Sequence, residues 1–405
     1  MIAPRRLRVA SVSTLLPTAA APHAGIFVAR RLAALGRRAD VHRIQPAPWF
    51  PLLRPAAKSG RGPDPAASPA TIRRMFYVPG LFREHHGYWL ARAIAPEIAR
   101  LRRAGGIDLI DAHFGHPAGS GCVTIGRRFG LPVFVTLRGY EMHMEQHPAM
   151  RRRLGATLER AAGVIAVSRP LADLAVRLGA EPARVRLIPN GIDTSLFHPG
   201  DRKAARQALG IAADVHLILS IGYLSKRKRH EDVIAALGRL SRRAPRAELA
   251  ILGGPSRVDP YRAGELESLA AHLGIGSRVH LVGAVEPTAV ATWLQAADVC
   301  TLPSSVAGCS NALIEALACG VPVVATPTGE NPSFLGSPAL GMLYGVGNVT
   351  ALAEAIERLI RSAPDSRAIS ASVASRTWDR VATEVEDFFR RRLAAIEAPG
   401  SEVEG

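Results

Sequence analysis

The chain has 405 residues, of which 48% are apolar and 21% are charged, and its formal net charge is +17 at pH 7. This length predicts two or three domains, and this composition excludes a largely disordered chain. The sequence has no run of roughly 18 apolar residues, which excludes a typical membrane-spanning helix. Its four cysteines form no C-x-x-C pair, so we expect no disulfide scaffold or structural zinc, but a reduced, cytoplasmic chain.

The positive charge is confined to the first half. Residues 1–200 contain 29 Arg or Lys against 12 Asp or Glu, whereas residues 201–405 contain 22 of each. Such asymmetry predicts a polyanion partner: nucleic acid, anionic lipid or a phosphorylated substrate. Nucleic acid is disfavoured because only 5% of residues are aromatic and no zinc finger or stacking motif is visible. Only four of the 51 basic residues are lysine, so an Arg-rich composition set by genome bias is the alternative.

The chain begins with a predicted buried strand, Leu7–Val12, which opens into a loop ending at Gly25. The arginines before it, with residues 9–21, also resemble a signal peptide. A proline and several Ser and Thr residues interrupt that segment, so no export is expected. An amphipathic helix follows at Ile26–Leu35, closed by Gly36.

Short β-branched segments alternate with helical patterns through the first half. This alternation predicts a parallel sheet with helices on both faces. The predicted strands are Leu7–Val12, Asp40–Ile44, Leu109–His113, Val133–Leu137, Val164–Val167 and Val185–Ile188. Residues 46–70 interrupt the alternation with seven prolines, and a connection of this length is usually functional or mobile.

A second alternating series follows a turn-rich stretch at residues 189–200. Its predicted strands are Leu217–Ile221, Glu248–Leu252, Val279–Val282, Val299–Leu302 and Val321–Ala325. We therefore expect an α/β architecture of two Rossmann-like, doubly wound domains, residues 1–195 and 196–379, facing an interdomain cleft. An amphipathic C-terminal helix, at about residues 380–398, is expected to pack back onto the first domain.

Residues 301–330 form the strongest local signal. After a strand come small residues through Gly308 and Ser310, and then a helix from about Ala312. The start of a helix offers unpaired backbone N–H groups and the positive end of the dipole, which favours a phosphate; Ser310 or Asn311 can cap it. Glu315 lies one turn from Asn311 and can accept hydrogen bonds from a ribose diol. The alternative is a generic strand–loop–helix unit with a solvated glutamate.

A second signal is a run of four cations, Lys226 to Arg229. It follows a strand and Gly222, and it precedes a helix that starts near Glu231. Cations at the start of a helix are unfavourable because the dipole is already positive there, and an anionic ligand removes the conflict. The run therefore predicts phosphate binding, with a solvated basic loop as the alternative.

These segments, with their surroundings, resemble the retaining glycosyltransferases of family four, whose GT-B fold has two Rossmann-like domains. The likeness covers nearly the whole chain. The matching segments of the first half are Pro22–Phe27, Asp111–Phe114, Thr136–Glu141, Val167–Ser168, Ile188–Asp193 and Phe197. Those of the second half are Gly222–Lys228, Gly283, Ala297–Asp298, Pro303–Ser304, Glu315–Ala316 and Val323–Thr326.

The resemblance implies a nucleotide-sugar donor whose diphosphate meets Lys228 and whose ribose meets Glu315, the loop at Gly25 approaching from the first domain and the base lying near Gly283. The implied donor-binding residues are Gly25, Gly222, Arg227, Lys228, Gly283, Gly308, Ser310, Asn311, Ala312, Glu315 and Glu330. The implied acceptor-binding residues are His113, Arg138, Glu141 and His143, and the implied catalytic residues are Lys228, Glu315, His113 and Arg138. It also implies front-face attack with retention of configuration, the leaving phosphate taking the acceptor proton, and no metal or other cofactor, since the nucleotide sugar is a substrate.

Three positions depart from the family pattern. The first glutamate of the Glu-x7-Glu motif, which contacts the donor sugar, is Ala307, and Glu330 is the candidate replacement where the family has glycine. The arginine of the glycine–arginine–leucine turn is Tyr223, for which Lys226, Arg227 or Arg229 could compensate. The segment that reads His-Gly-x-Asp in many relatives is residues 138–141, with Arg138 first and Glu141 last.

The histidines and cysteines are interpreted conservatively. The pairs His113/His116 and His143/His147 have spacings that suit zinc, but with 13 histidines such spacings arise by chance. The cysteines are interpreted as small core or loop residues, and no P-loop is present.

The sequence thus predicts a retaining glycosyltransferase of bacterial cell-surface polysaccharide biosynthesis. Because the charge excess lies in the acceptor half, we expect a polyprenyl-diphosphate-linked or other anionic glycan acceptor, no nucleic acid, and peripheral attachment to an anionic membrane surface at the inner face of the cell membrane. Two segments that mix cations with apolar groups suit such contact: Arg73–Tyr77 and Leu81–Arg83. The alternatives are a catalytically impaired GT-B partner subunit, motivated by Ala307 and Tyr223, and nucleotide-sugar 2-epimerisation.

Overall fold

A computed structural model describes residues 5–18, 24–49, 70–78, 81–256, 260–261 and 264–398. Pro22 and His23 of the opening loop, and most of the proline-rich connection, lie outside the described residues. The chain forms two compact units, the first up to Asn190 and again from Trp378, the second Gly191–Thr377. The division lies a few residues before 195 because the Ile192 N–H donates to the Arg376 oxygen (2.8 Å), which fixes this turn to the end of the second unit.

The first unit is built on a parallel sheet of strand order β3-β2-β1-β4-β5-β6-β7. The strands are β1 (Arg8–Val12), β2 (Asp40–Trp49), β3 (Thr71–Phe76), β4 (Leu109–His113), β5 (Val133–Leu137), β6 (Gly163–Ala166) and β7 (Val185–Leu187). The helices are α1 (Ile26–Gly36), α2 (His86–Arg103), α3 (Ser120–Phe129), α4 (Glu141–Met144), α5 (Pro148–Glu159) and α6 (Arg169–Arg177).

The sequence did not predict β3, and it ended β2 five residues too early. Strand β2 continues past Ile44 through Pro46 and Pro48. Among the described residues, the ladder pairing of those prolines is with β3, and the pairing of β2 with β1 ends at Ile44. A proline lacks an N–H group, and a strand tolerates it where one side has no ladder partner.

The second unit has a parallel sheet of order β10-β9-β8-β11-β12-β13. The strands are β8 (His216–Ile221), β9 (Ala247–Leu252), β10 (Val279–Gly283), β11 (Val299–Leu302), β12 (Val323–Ala325) and β13 (Gly341–Leu343), the last not predicted. The helices are α7 (Arg202–Leu209), α8 (His230–Leu240), α9 (Glu265–His272), α10 (Pro287–Ala296), α11 (Asn311–Ala318), α12 (Asn331–Phe334), α13 (Val349–Ser362) and α14 (Ser366–Ala371). Leu217 and Leu219 face one core and Ile218 the other, so helices cover both faces, as doubly wound sheets require.

The C-terminal helix, α15 (Trp378–Glu397), belongs to the first unit. Its apolar stripe, including Val385 and Phe389, packs against Leu109 and Phe134 of the sheet and Leu35 of α1. Aromatic contact reinforces this packing, since the rings of Phe134 and Phe389 lie 4.5 Å apart. No helix in the part of the chain that the structure describes has the length and apolar character needed to cross a membrane.

In each sheet the strand order reverses at one point, between β1 and β4 in the first unit and between β8 and β11 in the second. Ligands of open α/β sheets bind at the carboxyl ends of the strands beside such a reversal. The loops after these four strands are therefore where chemistry is expected.

Candidate active site

Lys228 lies in a single 3-10 turn, Lys226–Lys228, between β8 and α8. Its side chain is partly buried, and among the residues that the structure describes no hydrogen bond or ion pair reaches its ammonium group. Burial, and to a smaller extent the charge of Arg227, lowers the pKa of Lys228 to about 8. A bound anion would oppose both effects, so this ammonium group is suited to an anionic ligand.

The loop that carries Lys228 is bonded to the loop that follows β11. The backbone N–H of Ser305 donates to the carbonyl oxygen of Arg227 (2.9 Å), and the Ser305 hydroxyl donates to the same oxygen (3.3 Å). Both loops therefore lie together at the carboxyl edge of the second sheet, at its reversal of strand order.

Helix α11 begins directly after this second loop. Ser310 occupies the position before the helix, but its side chain caps none of the helix amides, so the capping expected of it is not present. Asn311 and Ala312, which open the helix, are partly buried. N–H groups in the first turn lack intrahelical acceptors and carry partial positive charge, so this end of α11 can donate to a phosphate.

Glu315 lies one turn further along α11 and is also partly buried. Two buried thiols lie close enough to feel its charge: burial first, and then Glu315, raises the pKa of Cys300 above its usual range and that of Cys319 to about 12. These thiols stay protonated at neutral pH and are core groups rather than nucleophiles.

Glu330 is a buried side chain, 3% exposed, in the loop after β12. Its backbone N–H donates to the Gly308 oxygen (2.9 Å), so it lies beside Ala307, the position of the missing motif glutamate. The approach requires glycine at 329, where φ is +59° and a Cβ would stand 1.9 Å from the Gly308 oxygen. The fold thus brings a carboxylate-bearing residue next to position 307.

Two of the other donor-site glycines lie away from these loops. Gly283 ends β10, two strands from β8, and its carbonyl accepts from the Gly253 N–H (2.8 Å). Gly25 belongs to the first unit, precedes α1 with φ +68°, and leaves 2.3 Å between a Cβ and the Leu15 oxygen. Both glycines have a positive φ, and at Gly25 the close approach of the backbone also excludes a side chain.

In the first unit, buried charges meet at the carboxyl ends of β1 and β4. Arg31 of α1 donates to Asp111 (3.2 Å) and to Thr136 (2.7 Å), and all three side chains are buried. Burial alone would raise the pKa of Asp111, but Arg31, followed by His113, outweighs it and holds that pKa below its usual range. Asp111 therefore stays ionised.

His113 links this ion pair to Arg138. Its Nε2 lies 3.2 Å from Asp111 Oδ2 and 3.1 Å from the Ser11 hydroxyl, while its Nδ1 accepts from Arg138 Nη2 (3.0 Å). Burial lowers the pKa of His113 to about 4, so the imidazole is neutral and carries its proton on Nε2. His113 has no exposed surface, and both of its ring nitrogens are engaged by other side chains.

Arg138 and Glu141 belong to the same network. Arg138 also donates to Asn190 (3.3 Å) and lies over the Phe27 ring, 5.1 Å from its centroid. The Glu141 carboxylate accepts three backbone N–H bonds, from residues 115, 138 and 139, at 2.8–3.0 Å. His143 is not part of it, because its side chain is exposed and contacts Tyr140 and His147.

Neither histidine pair with a zinc-like spacing belongs to a larger cluster of metal-binding side chains among the described residues. His116 bonds Ser120 through Nδ1 (2.7 Å) and the Arg83 oxygen through Nε2 (2.8 Å). Across the described ranges, no group of three or more His, Cys, Asp and Glu side chains could hold a metal ion.

Sequence reasoning missed Arg31, Ser11 and Asn190 as members of the first-unit network. Ser11 and Asp111 are polar residues with apolar neighbours on both sides in their strands, which is a usable signal. Arg31, on the predicted amphipathic helix, carries no such signal, because only the packing of α1 turns it inward.

Each half of the chain matches a known family model. Residues 25–196 match the family model Glycosyltransferase Family 4, and residues 201–375 match Glycosyl transferases group 1. The D-inositol 3-phosphate glycosyltransferase of Mycobacterium leprae is 33% identical over 225 residues, which is 54% of this chain and 52% of that protein. The match spans about half the length of such curated relatives.

Solved structures agree on the fold. A sucrose-phosphate synthase from Thermosynechococcus elongatus superposes with a TM-score of 0.76 at 23% identity, over 96% of this chain and 100% of its own. HepE of Anabaena, in complex with UDP, superposes with a TM-score of 0.75 at 18% identity, over 95% of this chain and 100% of the HepE chain. The predicted GT-B class, two Rossmann-like α/β domains, is confirmed.

Proposed function

The chain belongs to the family-4-like glycosyltransferases, and we propose that it moves a sugar, with retention of anomeric configuration, from a nucleoside-diphosphate donor to an acceptor hydroxyl. The observation that carries this proposal is the Lys228 ammonium group. It is partly buried, it lies beside Arg227, and it has no anionic partner among the described side chains. A diphosphate supplies the charge that this site lacks.

In the proposed reaction, the bond between the anomeric carbon and the phosphate oxygen breaks, and its electron pair stays on that oxygen. The acceptor oxygen forms its bond to the anomeric carbon from the same face, and its proton passes to the departing phosphate. Lys228 and the first amides of α11 stabilise the charge that develops there. The nucleotide sugar is a substrate, and this proposal requires no metal ion or cofactor.

The remaining donor contacts follow from the loops around Lys228. Glu315 accepts hydrogen bonds from the ribose hydroxyls, and Gly222 and Gly308 give the backbone room to approach the ligand. Glu330 takes the role of the missing glutamate at 307 and binds the donor sugar, which is supported by the 2.9 Å bond between its N–H group and the Gly308 oxygen.

The acceptor is assigned to the basic first unit. An anionic glycan, such as one linked to a polyprenyl diphosphate in bacterial cell-surface polysaccharide synthesis, fits the charge excess of residues 1–200. Arg138, held by His113, is the proposed acceptor contact. Peripheral binding to an anionic membrane surface is supported by exposed apolar and cationic side chains in Arg73–Tyr77 and Leu81–Arg83.

The decisive experiment is a thermal-shift screen with UDP-, GDP- and ADP-sugars, followed by transfer and donor-hydrolysis assays. UDP compounds come first, because HepE binds UDP and UDP-glucose. We expect one donor to raise Tm, and Lys228→Met and Glu315→Gln to abolish both the shift and turnover. Lys203→Met, on an exposed lysine of α7, is the matched control. A donor shift unchanged in Lys228→Met would refute the proposed site.

Ala307 and the exposed Tyr223, where relatives carry functional charges, favour a second candidate: a catalytically impaired GT-B subunit that binds nucleotide or glycan for an active partner. The same screen separates the two. A donor-induced shift without transfer or hydrolysis supports the binding subunit, and turnover that depends on Lys228 excludes it.

A further inference from the structure

His230, the first residue of α8, is fully buried beside the loop that carries Lys228. Its Nδ1 lies 2.8 Å from the Ser220 hydroxyl, at the end of β8. Its Nε2 lies 3.3 Å from two carbonyl oxygens, those of Gly222 and Tyr223. One imidazole therefore ties the strand to the first two residues of the loop.

The protonation state of this ring follows from its partners. Burial first, and then the nearby charge of Lys228, lowers the pKa of His230 to about 4, so the ring is neutral at physiological pH. Carbonyl oxygens only accept hydrogen bonds, so Nε2 carries the proton and Nδ1 accepts from the Ser220 hydroxyl. All polar atoms of the ring are thus satisfied inside the protein.

Gly222, one of the two residues that His230 restrains, is in contact with the side chain of Lys228. A Cβ on Gly222 would stand 2.9 Å from both Cδ and Cε of Lys228, so the lysine side chain runs directly over this glycine. Arg229 lies between Lys228 and His230 in the sequence. Its backbone has φ +50°, and its side chain forms an ion pair with Asp232 (2.7 Å). With Arg229 in this left-handed conformation, the side chains of Lys228 and His230 both contact Gly222.

From this arrangement we infer that His230 is a positioning residue of the donor site, which holds the backbone of residues 222 and 223 so that the Lys228 ammonium group is presented to the donor diphosphate. The role of Lys228 in this inference rests on the proposed function. The effect of His230 on the position of Lys228 does not depend on it. It predicts that changes at 230 reach the ligand through Lys228.

The chain suits a direct test because it has only four lysines. Reductive methylation with 13C-formaldehyde gives each lysine an NMR signal, and the signal of Lys228 is assigned by its loss in Lys228→Arg. We expect the pKa of Lys228 to be about 8 in the starting protein and in His230→Gln, whose amide can donate to the same carbonyls. In His230→Phe it should move toward the ordinary lysine value of about 10.4.

Pyrophosphate, as a donor-independent probe, should bind about tenfold more weakly to His230→Phe than to His230→Gln, a loss typical of one misplaced charged contact. His272→Phe, on an exposed histidine at the end of α9, is the control. Circular dichroism and Tm establish that each variant is folded. If His230→Phe does not fold, Ser220→Ala, which removes only the partner of Nδ1, should shift the pKa of Lys228 in the same direction.

A folded His230→Phe or Ser220→Ala protein with the pKa of Lys228 unchanged overturns the inference, even if nucleotide sugars bind as proposed. A shifted pKa in a protein that binds neither pyrophosphate nor any nucleotide sugar supports the coupling and refutes the proposed function instead. A drop in Tm with neither effect means that His230 is merely structural, which also overturns the inference.

Discussion

Gly222 and Lys228 are in direct contact, so that a single added methyl group at 222 would lie 2.9 Å from two carbons of the lysine side chain. The Gly222→Ala protein can fold only if Lys228 moves. We expect about tenfold weaker donor or pyrophosphate binding, measured by calorimetry, together with a lower Tm, because φ at 222 is +155° and strains any side chain. Gly276→Ala is the control, because its Cβ makes only ordinary contact, at 3.8 Å. Equal affinities of the two variants would contradict this placement of Lys228.

Lys228 should make both binding and stability depend on pH. Its pKa of about 8 in the folded protein lies below the ordinary value of about 10.4, so the unfolded chain holds more protons between those limits. Below pH 8 the charge destabilises the fold, and Lys228→Met should raise the free energy of unfolding by on the order of 1 kcal/mol. That advantage should disappear as the pH rises from 8 to above 10.

The binding of pyrophosphate should show the opposite trend. Affinity should fall as the pH rises through 8, because the unliganded ammonium group loses its proton there. Lys228→Arg should retain affinity to higher pH, since a guanidinium group stays charged. Identical pH profiles of the two proteins would assign the titration to another group.

Site residues that form local sequence patterns could be predicted, whereas contacts between residues far apart in the sequence could not. Lys228 and Glu315 were singled out because a run of cations and a helix start are local patterns. The pairing of Arg31 with Asp111 spans 80 residues and was invisible, as was the role of His230, whose hydrogen bonds exist only once the loop is folded. The other strands were found from their β-branched runs, whereas β3 carries two adjacent arginines and β13 has only three residues and begins with glycine.

Replacing one member of the buried Arg31–Asp111 ion pair should destabilise the first unit more than replacing both. Removing one partner leaves an uncompensated charge in the core, so Arg31→Met should lower the free energy of unfolding by about 3–5 kcal/mol. The double variant Arg31→Met/Asp111→Asn should recover a substantial part of that loss. Urea denaturation followed by circular dichroism measures both. A double variant as unstable as the sum of the single ones would show that the two groups do not interact.

Glu330 should determine which donor sugar is used, because it lies beside Ala307. Glu330→Gln should raise KM for the donor sugar about tenfold or more while leaving binding of the free nucleoside diphosphate unchanged. Ala307→Glu combined with Glu330→Gly should restore transfer, with a changed preference among donors. If Glu330→Gln weakens nucleoside diphosphate binding equally, the carboxylate supports the loop and does not contact the sugar.

The first unit exposes large apolar side chains near arginines, and this surface should bind anionic membranes. Phe76, Leu81 and Phe82 are 38%, 59% and 56% exposed, and the neighbouring Arg74 and Arg83 form no ion pair with any described residue. Apolar groups that enter the headgroup region and cations that meet anionic lipid act together, and the cationic part is screened by salt.

Cosedimentation with vesicles of phosphatidylglycerol and phosphatidylcholine tests this surface. Binding should fall as ionic strength rises, and it should fall at least several-fold in Arg74→Glu/Arg83→Glu and in Leu81→Ser/Phe82→Ser. Val176→Ser, which removes an exposed apolar side chain elsewhere in the same unit, should bind normally. Equal binding to vesicles of phosphatidylcholine alone would show that anionic lipid is not required. No binding at low salt would refute the predicted membrane attachment.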